Sequence, residues 1–175
     1  MDLSIVRWIA EHLRGPLFDT VMPYITALGD SGFLWAMICL VLLARKKTRR
    51  AGIFCGLALL LAYVSGEVVL KNIIQRPRPF TLLPDVALLI PPPRSFSFPS
   101  GHAGSSFAGA TAIYLQNKKW GVPTLVLALL IAFSRLYLSV HYLTDLLAGA
   151  LLGVGCAFLA RWLCRRLLPE KPGEG

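Results

Sequence analysis

Five long stretches of apolar residues restrict this chain to a very small set of folds. They cover residues 32–44, 52–69, 103–115, 122–133 and 146–163. The hydrocarbon core of a bilayer has no water to bond free backbone groups, so apolar stretches of this kind cross it as α-helices. Residues 29–30 can extend the first stretch and residues 100–102 the third. The sequence therefore predicts an all-α, integral-membrane helical bundle with about five transmembrane helices.

Composition excludes the soluble alternatives. Hydrophobic residues make up 55% of the chain, charged residues only 15%, and the mean hydropathy is +0.62. A soluble domain carries about 25% charged residues. The length of 175 residues suits one domain, so we predict a single domain over residues 1–175. The four cysteines form no CxxC pair, and we predict neither a zinc site nor a disulfide.

The N-terminal region differs from the five apolar stretches. Residues 1–14 mix charged and apolar side chains, which indicates an amphipathic helix on the membrane surface. Gly15 and Pro16 end that helix. Residues 17–28 form a second interfacial helix that is too short to span alone, and the bundle has six transmembrane helices if this helix inserts. Residues 1–28 are thus expected to be interfacial.

The positive charges predict the orientation in the membrane. The chain has 18 Lys and Arg residues against nine Asp and Glu, a net charge of +9. Eleven of the 18 lie in residues 45–50, 118–119 and 161–171, which a five-span topology places on one side. That side is cytoplasmic by the positive-inside rule. The split of the basic residues between membrane loops disfavours nucleic-acid binding. The other seven basic residues lie on the outer side, against this rule. An anion that they bind would explain why positive charge is kept there.

The first of three polar segments follows the second apolar stretch. Lys71 and Arg78 are seven residues apart, about two helical turns. Pro77 and Pro79 end the helix and hold Arg78 on an extended turn. A compact ammonium and a planar guanidinium suit phosphate oxygens. A basic cluster that snorkels to the membrane edge is the alternative.

The second segment, Pro99-Ser100-Gly101-His102, opens the third apolar stretch. Ser100 is a good N-cap, and Gly101 allows a ligand to approach the backbone. The free N–H groups of a helix start attract an anion, and His102 could exchange a proton with it. A plain N-cap beside a surface histidine is the alternative.

The third segment lies between the fourth and fifth apolar stretches and contains Ser134, Arg135, His141 and Asp145. His141 and Asp145 are four residues apart at a helix start and share a face. A carboxylate on one imidazole nitrogen fixes the tautomer and leaves the other nitrogen free as a nucleophile. Arg135 adds a third cation. A structural His–Asp cap would leave Arg135 unexplained.

In this order the three segments, K-x6-R-P, P-S-G-H and S-R-x5-H-x3-D, resemble the type 2 phosphatidic acid phosphatase (PAP2) superfamily. The resemblance runs from residue 71 to residue 145. It implies a helical core and hydrolysis of a lipid phosphate through a phosphohistidine, with no metal ion and no cofactor. The few acidic residues offer no carboxylate cluster for a metal. The resemblance makes His141 the nucleophile, Asp145 its orienting group and His102 the acid that protonates the leaving oxygen. The resemblance also implies that the phosphoryl oxygens are bound by Lys71, Arg78, Ser100, Gly101 and Arg135.

Three further residues are possible accessories to this site. Glu67 lies four residues before Lys71 and is expected to pair with it. Arg76 could contact a second phosphate or be a surface charge. Arg94 could touch the headgroup, because residues 80–98 form an apolar, proline-rich loop that we expect to act as an entry lip.

The distribution of basic residues places the three polar segments on the outer face of the membrane, which we expect to be a bacterial cytoplasmic (inner) membrane. The resemblance favours undecaprenyl diphosphate as the substrate. Phosphatidylglycerophosphate, phosphatidic acid and lipid A phosphate are the alternatives, because nothing in the motifs reads the lipid tail. A non-catalytic protein that binds or transports an anionic lipid is an alternative of another class, and a vanadate-dependent oxidase is a third. The motifs Gly149-x3-Gly153 and Gly104-x3-Ala108 predict close packing of helices within one chain and only weakly suggest a homo-oligomer.

Overall fold

The computed structural model describes residues 1–167, and the regular secondary structure of this part of the chain is entirely helical. The predicted all-α fold is confirmed. Lys171, which was grouped with the cytoplasmic charges, lies outside the described residues. The helices are α1 (Asp2–His12), α2 (Pro16–Leu28), α3 (Phe33–Ala44), α4 (Arg49–Tyr63), α5 (Lys71–Ile74), α6 (Gly101–Gln116), α7 (Lys118–Tyr137) and α8 (Leu143–Leu167).

Within residues 1–167, four helical segments are long and apolar enough to cross a membrane. They are Pro16–Ala44, Lys46–Thr81, Lys118–Tyr137 and Leu143–Leu167. The third apolar stretch, residues 103–115, was predicted to span but forms α6, which has only 16 residues, whereas a span usually needs about 20. By length and composition the described chain therefore has four candidate spans instead of five. The second N-terminal helix, α2, forms one apolar segment with α3. A short turn with positive φ at Ser31 and Gly32 separates these two helices.

Local residue chemistry places the ends of the helices that carry the polar segments. A π-helical stretch, Val64–Leu70, joins α4 to α5, and the helix ends at Gln75, whose φ is 49°. The chain then runs extended because a residue before proline avoids the helical region. The side chain of Ser100 accepts a hydrogen bond from the Ala103 backbone N–H and caps α6. Asn117 caps α7 in the same way.

Helix α6 lies at the centre of the bundle and packs on α4, α7 and α8. Helix α6 approaches α8 so closely that a side chain at Gly149 would collide with the Ser100 carbonyl oxygen, and one at Gly153 with the Gly104 carbonyl oxygen. The glycines make this approach possible because they have no side chain. The predicted close packing of the small-residue motifs is confirmed. Trp35 of α3 is fully buried against α6 and donates a hydrogen bond to Ser106 Oγ at 3.0 Å.

The polar segments and the basic loops lie at opposite ends of the bundle. At one end the Ser100 N–H donates to the Asp145 carbonyl oxygen, so α6 and α8 begin side by side and run parallel. At the other end Gly52 packs on Leu43 beside the basic loop. Large apolar side chains between the two ends are exposed, as expected for a surface that contacts lipid. They include Leu40, Val41, Leu60, Val126, Leu129, Leu147, Leu151 and Phe158.

The N-terminal helices pack against the end that carries the polar segments. Val6 and Ile9 of α1 are buried in a cluster with Leu83 and Tyr137. The proline-rich loop also packs several apolar side chains against this cluster. They are Phe80, Val86, Leu88, Leu89 and Ile90. Much of the loop is therefore held against the protein core.

Candidate active site

The three polar segments meet at one cavity of about 610 Å³. Its walls include the predicted nucleophile, the predicted acid and the five residues predicted to bind the phosphoryl oxygens, while Asp145, the predicted orienting group, lies behind His141. These residues are Lys71, Arg78, Ser100, Gly101, His102, Arg135 and His141. Helix ends from α5, α6, α7 and α8 bring them together, although they span more than 70 residues of sequence.

His141 is held between a cation and a carboxylate. Arg78 Nη1 lies 3.2 Å from His141 Nε2, and Asp145 Oδ2 lies 3.4 Å from Nδ1. A guanidinium has no acceptor and stays protonated, so Nε2 must be the unprotonated nitrogen and Nδ1 carries the proton. The free electron pair of the imidazole therefore belongs to the nitrogen beside Arg78.

The state of the imidazole follows from its burial. His141 is only 1% exposed. Burial lowers its pKa from the ordinary 6.5 to about 3; the hydrogen bond to Asp145 opposes this shift, and the charges of Arg78 and Arg135 add to it. The imidazole is consequently neutral at physiological pH, the state that a nucleophile requires.

Asp145 is completely buried and its carboxylate is fully hydrogen-bonded. Oδ2 accepts from Ser97 Oγ at 2.5 Å and from the Tyr142 backbone N–H at 2.9 Å, besides facing His141. Oδ1 accepts from Arg76 Nη1 at 2.6 Å. Ser97 was not predicted from the sequence. In the sequence, Ser97 is distinguished only by its position two residues before Pro99.

Two buried arginines approach the cavity from different elements. Arg78 donates to the Ser95 and Val140 carbonyl oxygens at 2.7 and 2.8 Å, which fixes its guanidinium beside His141. Arg135 donates to Thr26 Oγ1 at 2.7 Å, while its buried Nε has no hydrogen-bond partner within residues 1–167. An unpaired buried N–H is costly. Arg135 also lines the cavity, to which its guanidinium adds a positive charge.

Lys71 and Glu67 form the pair that the sequence predicted. Lys71 Nζ lies 2.5 Å from Glu67 Oε1, and Lys71 is 5% exposed. The Glu67 carboxylate also lies against the start of α6, where any side chain at Gly101 would collide with it. The absence of a side chain at Gly101 therefore lets an anionic group reach the first turn of α6, where free N–H groups favour negative charge.

His102 lies on the cavity wall and contacts a carboxylate of its own. Its Nε2 is 2.9 Å from Asp30 Oδ1, in the turn between α2 and α3. This leaves Nδ1 as the other ring nitrogen for a ligand. The site thus contains two His–Asp pairs, one on each histidine, and the second was not predicted from the sequence.

The remaining accessory residues lie apart from the cavity. Arg76 bonds to Asp145 and Asp2, so it is neither a surface charge nor a cavity wall. Arg94 is exposed and does not line the cavity, although its neighbours Pro93 and Ser95 do. Within the described chain, no three His, Cys, Asp or Glu side chains are grouped as metal ligands.

Fold and site together define a membrane-spanning lipid phosphatase. Residues 51–168 match the profile of the PAP2 superfamily, and the chain belongs to this family.

Relatives of known name agree with this assignment. The undecaprenyl-diphosphatase of Sulfolobus acidocaldarius is 36% identical over 73% of this chain, and the aligned part spans 62% of that relative's length. The crystal structure of LpxE from Aquifex aeolicus superposes with a TM-score of 0.81 and 31% identity, covering 92% of this chain and 94% of the other. The PAP2-type phosphatidylglycerolphosphate phosphatase of Bacillus subtilis gives a TM-score of 0.78 and 30% identity, covering 97% and 87%.

Proposed function

We propose that the protein hydrolyses undecaprenyl diphosphate to undecaprenyl phosphate through a covalent phosphohistidine on His141, without a metal ion. The observation that carries this proposal is the arrangement around His141. Its unprotonated Nε2 faces Arg78 on the wall of a cavity that also contains Lys71, Arg135 and the start of α6. Phosphoryl transfer depends chiefly on positioning and charge stabilisation, which these groups supply.

In the first step His141 Nε2 attacks the terminal phosphorus, and a P–N bond forms as the bridging P–O bond breaks. The electron pair goes to the leaving oxygen, which takes a proton from His102. Lys71, Arg78, Ser100, the Gly101 N–H and Arg135 hold the phosphoryl oxygens. Asp145 stabilises the positive charge that forms on the imidazole.

In the second step water attacks the phosphohistidine and gives a proton to His102, which now acts as a base. The P–N bond breaks, its electron pair returns to Nε2, and inorganic phosphate leaves. Asp30 holds the His102 ring through both steps.

A lipid substrate suits the shape of the cavity. Away from the charged groups, its walls are apolar and come from α3, α4 and α8. These wall residues are Ala36, Leu59, Leu60, Ala62 and Leu152. Their positions in membrane-spanning helices suit the first part of a lipid chain, and the name of the Sulfolobus relative supports the prenyl diphosphate. The likeness to the Bacillus subtilis structure supports phosphatidylglycerophosphate as the second candidate.

The proposal takes residues 1–175 as one catalytic domain, because Thr26 and Asp30 bond to site residues from outside the matched range. It places the site on the outer face of a bacterial cytoplasmic membrane. The basic loops at the far end of the bundle support this orientation.

The test is phosphate release by detergent-purified protein in EDTA, with undecaprenyl diphosphate and phosphatidylglycerophosphate as substrates. We expect release from the diphosphate with the higher kcat/KM and none from His141→Ala. Alkaline quenching should trap labelled phosphate on the wild-type protein only, because phosphohistidine is stable to base. Activity that EDTA abolishes, or that survives His141→Ala, would overturn the mechanism. A higher kcat/KM for phosphatidylglycerophosphate would overturn the substrate.

A further inference from the structure

The N-terminus of α1 reaches the back of the His141–Asp145 pair. Arg76 connects them, because its Nη1 donates to Asp145 Oδ1 at 2.6 Å and its Nη2 donates to Asp2 Oδ2 at 2.8 Å. One guanidinium thus bridges two carboxylates from opposite ends of the chain. Asp2 precedes residues 51–168, so this bridge joins the family core to a segment outside it.

Asp2 is fixed by more than this ion pair. Its Oδ1 accepts from the Thr144 backbone N–H at 3.3 Å, and its Oδ2 accepts from the Thr144 hydroxyl. Arg76 is also held, since its guanidinium lies 3.8 Å from the centre of the Tyr142 ring. The start of α1, the start of α8 and the turn after α5 therefore form one rigid cluster.

The charges in this cluster have a consequence for His141. Asp145 alone presents one negative charge to the imidazole, and Arg76 at 2.6 Å offsets it. Asp2 pairs with the other nitrogen of the same guanidinium. The two carboxylates and the one guanidinium together then have a net charge of −1. The buried site then keeps the negative charge that stabilises a cationic phospho-imidazole.

We propose that Asp2 and Arg76 are positioning residues for the phosphoryl transfer. Arg76 fixes the Asp145 carboxylate behind His141, and Asp2 prevents Arg76 from neutralising that carboxylate. The seating of the N-terminal helix thereby determines how well His141 forms its phosphorylated intermediate. This inference rests on the proposed function, since it concerns the same intermediate.

The test compares Asp2→Asn with Arg7→Gln. The second variant is a matched control, because Arg7 also ties α1 to the protein, through Asp85 at 3.0 Å, but makes no contact with Asp145. Changes to residues that orient the ligands of a metal ion typically cost about 10–100-fold in affinity or activity, and we expect a cost of the same order for a residue that orients a nucleophile. We expect Asp2→Asn to lower kcat about tenfold with little change in KM, and to lower the trapped phosphohistidine, while Arg7→Gln keeps both.

The same measurement in an Arg76→Gln background separates positioning from simple anchoring of α1. If Asp2 acts through Arg76, adding Asp2→Asn there changes kcat less than about twofold, because coupled residues are not additive. A full additional loss would show that Asp2 only anchors the helix and would overturn the inference. So would wild-type kcat and phosphohistidine in Asp2→Asn. Failure of the wild-type protein to release phosphate would instead count against the proposed function.

Discussion

At the scale of single residues, the chemistry depends on a neutral His141. Because burial lowers the pKa of this imidazole to about 3, His141 should stay unprotonated well below its ordinary value of 6.5. The acidic limb of the pH–rate profile of the free enzyme should therefore come from another group.

Histidine-selective NMR tests this directly, since the chain has only three histidines. The resonance that disappears in His141→Ala should not titrate between about pH 5 and pH 8, where an ordinary histidine does. A His141 midpoint near 6.5 would contradict the prediction.

Asp30 gives a second prediction at this scale. If it orients His102 as the acid, Asp30→Asn should slow substrates whose leaving oxygen needs a proton. We expect a loss of about 10²-fold on an alkyl phosphate such as phosphatidic acid. The first step on p-nitrophenyl phosphate, measured as the burst of p-nitrophenolate, should change little, because this leaving group departs as an anion.

Asp19→Asn is the control for this experiment. Asp19 lies in α2 and accepts a hydrogen bond from the Tyr137 hydroxyl at 2.6 Å, outside the cavity. Asp19→Asn should slow the hydrolysis of both substrates equally or of neither. An equal loss in the rate of the first step on both substrates in Asp30→Asn would assign Asp30 a structural role instead.

At the scale of helices, the site depends on the close approach of α6 and α8. These helices carry Ser100 and Asp145 at their adjacent starts, joined by a backbone hydrogen bond of 3.0 Å. At Gly153, a Cβ would meet backbone atoms of Gly104 and Ala108, which cannot rotate away. Any separation of the two helices would therefore move groups in the site.

Gly153→Ala should lower the free energy of unfolding by about 1–3 kcal/mol, as overpacking usually does. It should also lower kcat by shifting Ser100 relative to Asp145. Gly155→Ala is the matched control on the same helix, since nothing lies within 4 Å of a Cβ there. Thermal unfolding in detergent measures the difference, and equal stability of the two variants would refute the packing argument.

At the scale of the whole molecule, the site and the basic loops lie at opposite ends of the bundle, which predicts the orientation in the membrane. Single cysteines introduced as Arg94→Cys and Lys118→Cys, after the four native cysteines are replaced, report the two ends. A membrane-impermeant maleimide on intact cells should label position 94 and leave position 118 unlabelled until the cells are lysed. The reverse pattern would place the site in the cytoplasm.

The sequence by itself determined the helical membrane bundle and the three polar segments. Both are local properties: an apolar stretch of sufficient length forms a helix in the bilayer, and each polar segment keeps its residues within a short stretch of sequence, Lys71 with Arg78 and His141 with Asp145. The pairing of Glu67 with Lys71 was predictable for the same reason, since four residues make one helical turn.

Only the tertiary structure decided which groups support these residues. Thr26 reaches Arg135 across 109 positions, Asp30 reaches His102 across 72, and Asp2 reaches Arg76 across 74. In the sequence, each resembles an ordinary cap or surface group, because Thr and Asp are common at helix ends. Their partners are determined by how the helices pack, and a hydrogen bond of less than 3 Å depends on that packing rather than on any local pattern.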